Sequence, residues 1–150
     1  MNKPGKLASV VVSLAAAVGT IAISGPANAT AADTAPQVRF YSIANGDTPP
    51  DVLTLPNGDK PTEWGQASFK EGSGPMTRAS VGGGTWNYGT SAATTGKNCY
   101  SNYIHPTVKH SASVAMASQT DKDIREKDIW AKALVTAGAA YTCNAYWGKY

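Results

Sequence analysis

The side chains that could take part in chemistry are two histidines, two cysteines and a dense group of aromatic rings. His105 and His110 lie five residues apart, and no H-E-x-x-H or comparable zinc-binding pattern surrounds them. They could form a metal pair or supply a general base, but a histidine beside a proline turn and one on a strand face are more often structural. No serine lies in a G-x-S-x-G motif. We therefore predict no enzyme activity, no catalytic or metal-binding residue and no cofactor, and we rank a hydrolase last.

Aromatic residues are concentrated in the second half of the chain, between Trp86 and Tyr150. A small domain needs large side chains in its core, so most of these rings are expected to fill the interior. The same residue types also contact partner proteins, membrane surfaces and the faces of sugars. Our candidate binding residues, which include the two histidines and one lysine, are Trp86, Tyr88, Tyr103, His105, His110, Trp130, Lys132, Tyr146 and Trp147.

Cys99 and Cys143 are the two cysteines of the chain. In an exported protein an even count with none left over favours pairing, and such a bridge is worth about 4 kcal/mol. Two free thiols facing a core are the alternative. We predict the disulfide.

The elements that position these residues are predicted to be short strands. Val108–Ser118 and Ala140–Trp147 alternate apolar and polar residues, as half-buried strands do, and Thr85–Tyr88 places its aromatic rings on one face. Asp128–Thr136 alternates too, although its Ala, Lys and Leu content leaves a helix open. The mixed-charge run Gln119–Asp123 reads as a turn. Five or six strands with turns between them predict an all-β fold, a small antiparallel β-sandwich of two sheets or a small barrel.

The first 29 residues have the organisation of a secretory signal peptide. A short basic start with Lys3 and Lys6 precedes an apolar stretch from Leu7 to Ile23, and Ala27-Asn28-Ala29 supplies a small-residue cleavage site. An uncleaved membrane anchor is the alternative, but the apolar run is rich in Ala and Ser and no basic stop-transfer cluster follows it. We predict a secreted protein whose mature form begins near Thr30.

Charge argues against nucleic-acid binding. The full chain has a net charge of +3, but without the signal peptide its 13 basic side chains fall to 11 against 10 acidic ones. Residues 30–80 carry a net charge of −2 and residues 81–150 a net charge of +3. A mildly cationic C-terminal part suits an anionic cell surface rather than DNA or RNA.

Residues 30–80 differ in composition from residues 81–150. The first block holds most of the prolines and has little apolar material for a core of its own. Val38–Tyr41 reads as a strand, and Val52–Leu55, flanked by prolines, as an edge strand or extended segment. The block could be a loosely ordered arm, a processed leader or a hairpin that adds to the main domain. Glu71–Pro75 reads as a linker.

Several short motifs follow one another in the second half of the chain. In order they are Gly84-Thr85-Trp86, Tyr100-Ser101-Asn102-Tyr103 with His105, His110-Ser111-Ala112, Trp130-Ala131-Lys132-Ala133 and Tyr146-Trp147. Their order and approximate spacing resemble the lactococcin 972 family of bacteriocins over roughly residues 82–150. The block at 30–80 and the two cysteines are features that the founding member of that family lacks.

This resemblance implies a small β-sandwich that leaves the cell by the general secretory route and acts on related bacteria. It further implies binding to the cell-wall precursor lipid II and a block of septum formation without pores, which is sequestration rather than catalysis. The expected partner is therefore a cell-wall precursor or other envelope component, and a homodimer is possible. The alternative is a secreted interaction protein, either a surface-receptor ligand or an inhibitor of an extracellular enzyme.

Overall fold

The computed structural model describes residues 35–70 and 77–150, which form nine β-strands. The predicted signal peptide with its cleavage site, and the predicted linker, lie outside these residues. The strands are β1 (Gln37–Ser42), β2 (Glu63–Phe69), β3 (Thr77–Val81), β4 (Gly84–Ala93), β5 (Gly96–Ile104), β6 (His110–Met116), β7 (Gln119–Arg125), β8 (Ala131–Ala137) and β9 (Cys143–Lys149).

Two antiparallel sheets pack face to face, so the predicted β-sandwich is confirmed. Sheet A has the order β1-β2-β9-β6-β7, and sheet B has the order β3-β4-β5-β8. Strands β1, β2 and β3 come from residues before position 82, and β2 pairs with β9 along its whole length. The proline-rich block thus contributes to both sheets.

Period-two alternation builds the core. Along β9, Cys143, Ala145 and Trp147 point inward and are buried. Along β8, Ala131, Ala133 and Val135 are buried while Lys132 and Leu134 are exposed. Ala, Lys and Leu are compatible with a helix. The segment instead forms β8, which pairs with β5 over seven residues and buries one of its faces, and a helix could not make these sheet hydrogen bonds.

The segment Gln119–Asp123, expected to be a turn, lies within strand β7. The hairpin turn comes two residues earlier, where Ala117 adopts a positive φ of 56°. A charged sequence is compatible with a strand here because β7 is at the edge of sheet A, where its side chains reach water.

The segment Val52–Leu55, expected to be an edge strand or extended, begins instead with a 3₁₀ turn over Asp51–Leu53. Leu53 and Trp64 are buried with Tyr146 in a second apolar cluster on the outer side of sheet A. This second cluster explains why Tyr146 is buried although it points away from the main core.

The disulfide between Cys99 and Cys143 is present, with an S–S distance of 2.04 Å and a Cα–Cα distance of 5.5 Å. It confirms the predicted pairing. Because Cys99 lies on β5 and Cys143 on β9, the bond joins sheet B to sheet A through the middle of the sandwich.

The two open sides of the sandwich differ. On one side the Asp123 carboxylate accepts the backbone N–H of Lys132 and the Asp121 carboxylate accepts that of Leu134, each at 2.9 Å, so side chains of β7 cap the edge of β8. On the other side β1 and β3 leave a cleft between them. Within residues 35–70 and 77–150, no helix is long and apolar enough to cross a membrane.

Candidate binding surface

Seven of the nine candidate binding residues are buried. Trp86, Tyr103 and His110 have no exposed surface, and the other four expose 8% or less. The buried seven are Trp86, Tyr88, Tyr103, His105, His110, Tyr146 and Trp147. A ring without accessible surface cannot contact a ligand in this conformation, so these residues build the interior that supports a binding surface.

The buried rings are fixed by specific partners. Trp86 and Tyr88 stack with their centroids 3.7 Å apart. The Trp86 indole N–H donates to the Ser101 hydroxyl at 2.9 Å, and that hydroxyl donates to the Tyr146 carbonyl at 2.6 Å. The Tyr103 hydroxyl donates to the Val81 carbonyl at 3.0 Å, and burial, with the nearby Glu63 charge, raises the pKa of its phenol.

Both histidines are engaged with backbone groups. Nδ1 of His105 accepts the N–H groups of Thr107 and Val108 at 3.2 Å, which places the proton on Nε2, 3.0 Å from the Gly82 carbonyl oxygen. The ring nitrogens of His110 lie 2.9 and 2.8 Å from the carbonyl oxygens of Val108 and Ile129. Among the described residues no three His, Cys, Asp or Glu side chains come together as a metal site. The geometry thus assigns the histidines to holding the loop before β6, the β3–β4 turn and the loop between β7 and β8.

Lys132 and Trp130 are the two candidates that reach the surface. Lys132 is exposed on β8, and Trp130 is half-buried just before that strand. The register places Lys132 opposite Asn102 on β5. Lys132 therefore belongs to the side of sheet B that faces away from the core.

A straight row of polar side chains crosses this outer face of sheet B. Arg78 lies opposite Asn87, Asn87 opposite Asn102, and Asn102 opposite Lys132. Residues directly opposite each other in neighbouring strands point to the same face. With about 4.8 Å between strands, the backbone positions of Arg78 and Lys132 are about 14 Å apart, with two amide side chains between them.

The strands of sheet B carry charge of one sign, and the carboxylates of Asp121 and Asp123 reach only the β8 edge, from β7. The four strands of sheet B contain no Asp or Glu, and their three basic residues are Arg78, Lys97 and Lys132. Lys97 is buried, and its ammonium donates to the Lys70 carbonyl at 3.2 Å. Arg78 and Lys132 are left as the exposed cations of the face, so its field attracts anions.

Neutral groups complete the outer face. The Oδ1 atom of Asn87 is buried and has no hydrogen-bond partner among the described residues. Tyr100 and Leu134 form the next row across the sheet, where Leu134 is 54% exposed. Burial raises the pKa of the Tyr100 phenol, which keeps it a neutral donor. The face thus combines cations, amide groups and an aromatic ring.

A shallow depression extends the face at its end nearest the β3–β4 turn. It has a volume of about 510 Å³. Ile104 and Pro106 give it apolar surface, and Asp128 places a carboxylate at its rim. The depression lies beside the row of polar side chains, two residues further along β3, β4 and β5, so a ligand that covers the row would adjoin the Asp128 carboxylate.

Sequence reasoning missed Arg78, Asn87 and Asn102. The alternation of Thr85–Tyr88 already separated Asn87 from the two aromatic residues, so Asn87 must point outward once the aromatic side is known to be core. In the run Tyr100–Tyr103, Asn102 shares a face with Tyr100 and the opposite face carries Tyr103, so the aromatic residues alone did not decide its side. The absence of acidic residues from four strands was the second available signal.

Comparison with known proteins finds a family match for part of the chain. Residues 82–147 match the family described as "Bacteriocin (Lactococcin_972)". No curated protein and no solved structure matches the chain. The resemblance inferred from the sequence motifs is thereby confirmed over residues 82–147, which include β4 to β8 and most of β9.

Proposed function

Since residues 82–147 match the lactococcin 972 bacteriocin family, we propose that this protein is a secreted antibacterial protein that sequesters the cell-wall precursor lipid II. The binding surface is the outer face of sheet B, and the consequence is a block of wall or septum synthesis without pore formation. The observation that carries the location is the row Arg78–Asn87–Asn102–Lys132.

The two cations suit the pyrophosphate of such a precursor. Guanidinium and ammonium groups form charge-assisted hydrogen bonds to phosphate oxygens, and Arg78 can do so in a bidentate manner. Since the strands of sheet B carry no carboxylate, no acidic side chain on them competes for these cations.

The groups between the cations suit the sugars. An asparagine amide both donates and accepts hydrogen bonds, so Asn102 can pair with hydroxyl and acetamido groups, and Asn87, whose Oδ1 is buried, can donate through its NH₂ group. Tyr100, in the next row, offers part of a ring face. Binding rather than catalysis is supported by the histidines, whose nitrogens are already used by backbone groups.

The test compares binding of the purified secreted protein to vesicles with and without lipid II. The double variant Arg78→Ala/Lys132→Ala is expected to bind at least about tenfold more weakly, because each charge-assisted contact is worth roughly 1.5–3 kcal/mol. Binding of the unsubstituted protein should weaken with added salt.

Lys60→Ala is the matched control, since Lys60 is an exposed cation in a turn and lies on no strand of sheet B. It should bind lipid II and inhibit the growth of related bacteria as the parent does. Absence of lipid II binding at low salt would reject the mechanism. An equal loss of lipid II binding in Lys60→Ala would reject the outer face of sheet B as the binding surface.

A further inference from the structure

The side of the sandwich opposite the β7–β8 contact contains a cleft of about 400 Å³. It lies between the edge strands β1 and β3, and Trp147 contributes to its wall from β9. Pockets that hold small ligands begin at about 300 Å³ and combine apolar surface with a few polar groups. The side chains that matter here are Phe40, Asn45, Glu63, Ser80 and Trp147.

The cleft offers an aromatic surface. Phe40 is 58% exposed, and the register Phe40–Gly65–Trp147 places these three residues on one face of sheet A. A Cβ at Gly65 would overlap the indole nitrogen of Trp147, so glycine is what allows the indole to lie across β2. The exposed Phe40 ring, with the nearly buried Trp147 indole behind it, is a surface on which the CH groups of a ligand can rest.

The polar groups of the cleft carry no net charge. Glu63 pairs with Lys149 at 2.6 Å, so its carboxylate is compensated while its remaining lone pairs can accept. Asn45 supplies an amide and Ser80 an exposed hydroxyl. The indole N–H of Trp147 is buried without a hydrogen-bond partner in the described part of the chain.

We infer that this cleft binds a neutral saccharide unit. Apolar ring surface together with uncharged donors and acceptors matches a sugar, whose CH face is apolar and whose hydroxyl and acetamido groups both donate and accept. A phosphate or acidic peptide would face a compensated carboxylate instead of a free cation. The cleft shares Ser80 and Val81 with the depression at the end of the outer face of sheet B, but its other lining residues differ, and the inference does not depend on the function proposed for that face.

The cleft belongs mainly to the part of the chain outside the bacteriocin match. Of the residues that line it, only Gly82 and Trp147 fall within residues 82–147. The strands added before position 82 therefore create a second binding site that residues 82–147 cannot form without them. Such a site would attach the protein to the glycan surface of a cell.

The experiment uses the β-1,4-linked tetramer of N-acetylglucosamine as a neutral probe and follows the indole N–H signal of Trp147 by NMR. The signal should shift with saturable dependence on sugar concentration, and equally at low and high salt. Phe40→Ala should raise the dissociation constant for the sugar about tenfold, which corresponds to a loss of about 1.4 kcal/mol in binding free energy. Glu63→Gln should raise the dissociation constant by a smaller factor, because an amide still accepts a hydrogen bond.

Ile43→Ala is the matched control, since Ile43 is 51% exposed next to β1 but does not line the cleft. It should bind the sugar as the parent does, and so should Arg78→Ala/Lys132→Ala. No shift with the sugar, an unchanged constant for folded Phe40→Ala, or tighter binding of a short extended peptide would each overturn the inference. If the parent protein binds lipid II but not the sugar, the cleft proposal fails and the proposed function stands. If it binds the sugar but not lipid II, the proposed function fails and the cleft proposal stands.

Discussion

The hydroxyl of Ser101 connects side chains and backbone from three strands. It accepts the indole N–H of Trp86 on β4 and donates to the carbonyl of Tyr146 on β9, while its own backbone lies in β5. All three groups are buried, so water cannot replace a lost partner. A small polar residue therefore holds a core tryptophan in place across the two sheets.

We predict that Ser101→Ala lowers the free energy of unfolding by about 1–3 kcal/mol, because the Trp86 N–H is left buried without an acceptor. Urea denaturation followed by tryptophan fluorescence measures this. Ser91→Ala, at an exposed position of β4, is the matched control and should change stability by no more than about 0.5 kcal/mol. A loss in the Ser101 variant no greater than in this control would contradict the assigned role.

Residue roles on the outer face were harder to predict than residue positions in the core. The sequence places Trp86 and Tyr88 on one face of a strand, but period two alone does not say which face meets another sheet. Lys132 was identified because it lies beside Trp130 in a family motif. Arg78 was missed because it reaches the same row only through the pairing of β3 with β4, which is a contact of tertiary structure.

At the level of elements, β7 and β8 form an unusual edge. They belong to different sheets, and carboxylates of Asp121 and Asp123 replace the backbone acceptors that a further strand would provide. Edge strands with unpaired N–H groups invite pairing with other chains, and capping them prevents it. The acidic residues that suggested a turn are thus the reason why this side of the sandwich closes.

We predict that Asp121→Ala lowers the free energy of unfolding by about 0.5–1.5 kcal/mol, since the exposed Leu134 N–H loses its acceptor. Hydrogen exchange at the Leu134 amide should become faster, which a general loss of charge would not cause. Asp121→Asn keeps an acceptor oxygen and should retain slower exchange. Glu126→Ala, at an exposed loop position, is the control and should leave that amide unchanged. Unchanged exchange in Asp121→Ala would show that the cap is dispensable.

Over the whole molecule, the fold class was predictable and the number of strands was not. Alternation in Val108–Ser118 and Ala140–Trp147 indicated strands, and the cysteine count indicated the bond that joins the sheets. The participation of β1 and β2 could not be derived, because it depends on the pairing of Glu63–Phe69 with β9, about 80 residues later in the chain. The segment Val38–Tyr41 indicated β1, but the proline and turn content of that block concealed β2 and β3.

Both sheets bury tyrosine hydroxyls, and this limits the stability of the folded protein at alkaline pH. Burial raises the pKa of Tyr88, Tyr103, Tyr146 and Tyr150 above the ordinary value of 10.0. The folded state therefore holds these protons more tightly than the unfolded chain, and stability is retained below pH 10 and lost as the pH rises beyond it. Lys122 acts in the opposite sense, because desolvation lowers its pKa, but it is a single residue against four tyrosines.

We predict that the free energy of unfolding, measured by urea denaturation, falls steadily as the pH rises from about 10 to about 11.5, above the ordinary tyrosine pKa. The tyrosinate absorbance that comes from Tyr88, Tyr103, Tyr146 and Tyr150 should appear together with unfolding. Tyr103→Phe removes the hydroxyl that donates to Val81, so it should be less stable at neutral pH yet show a shallower decline above pH 10. Tyr141→Phe, at a ring that is 54% exposed, is the matched control and should decline as the parent does. Stability that is constant across this range, or an equal slope in Tyr103→Phe, would show that the buried hydroxyls do not set the alkaline limit.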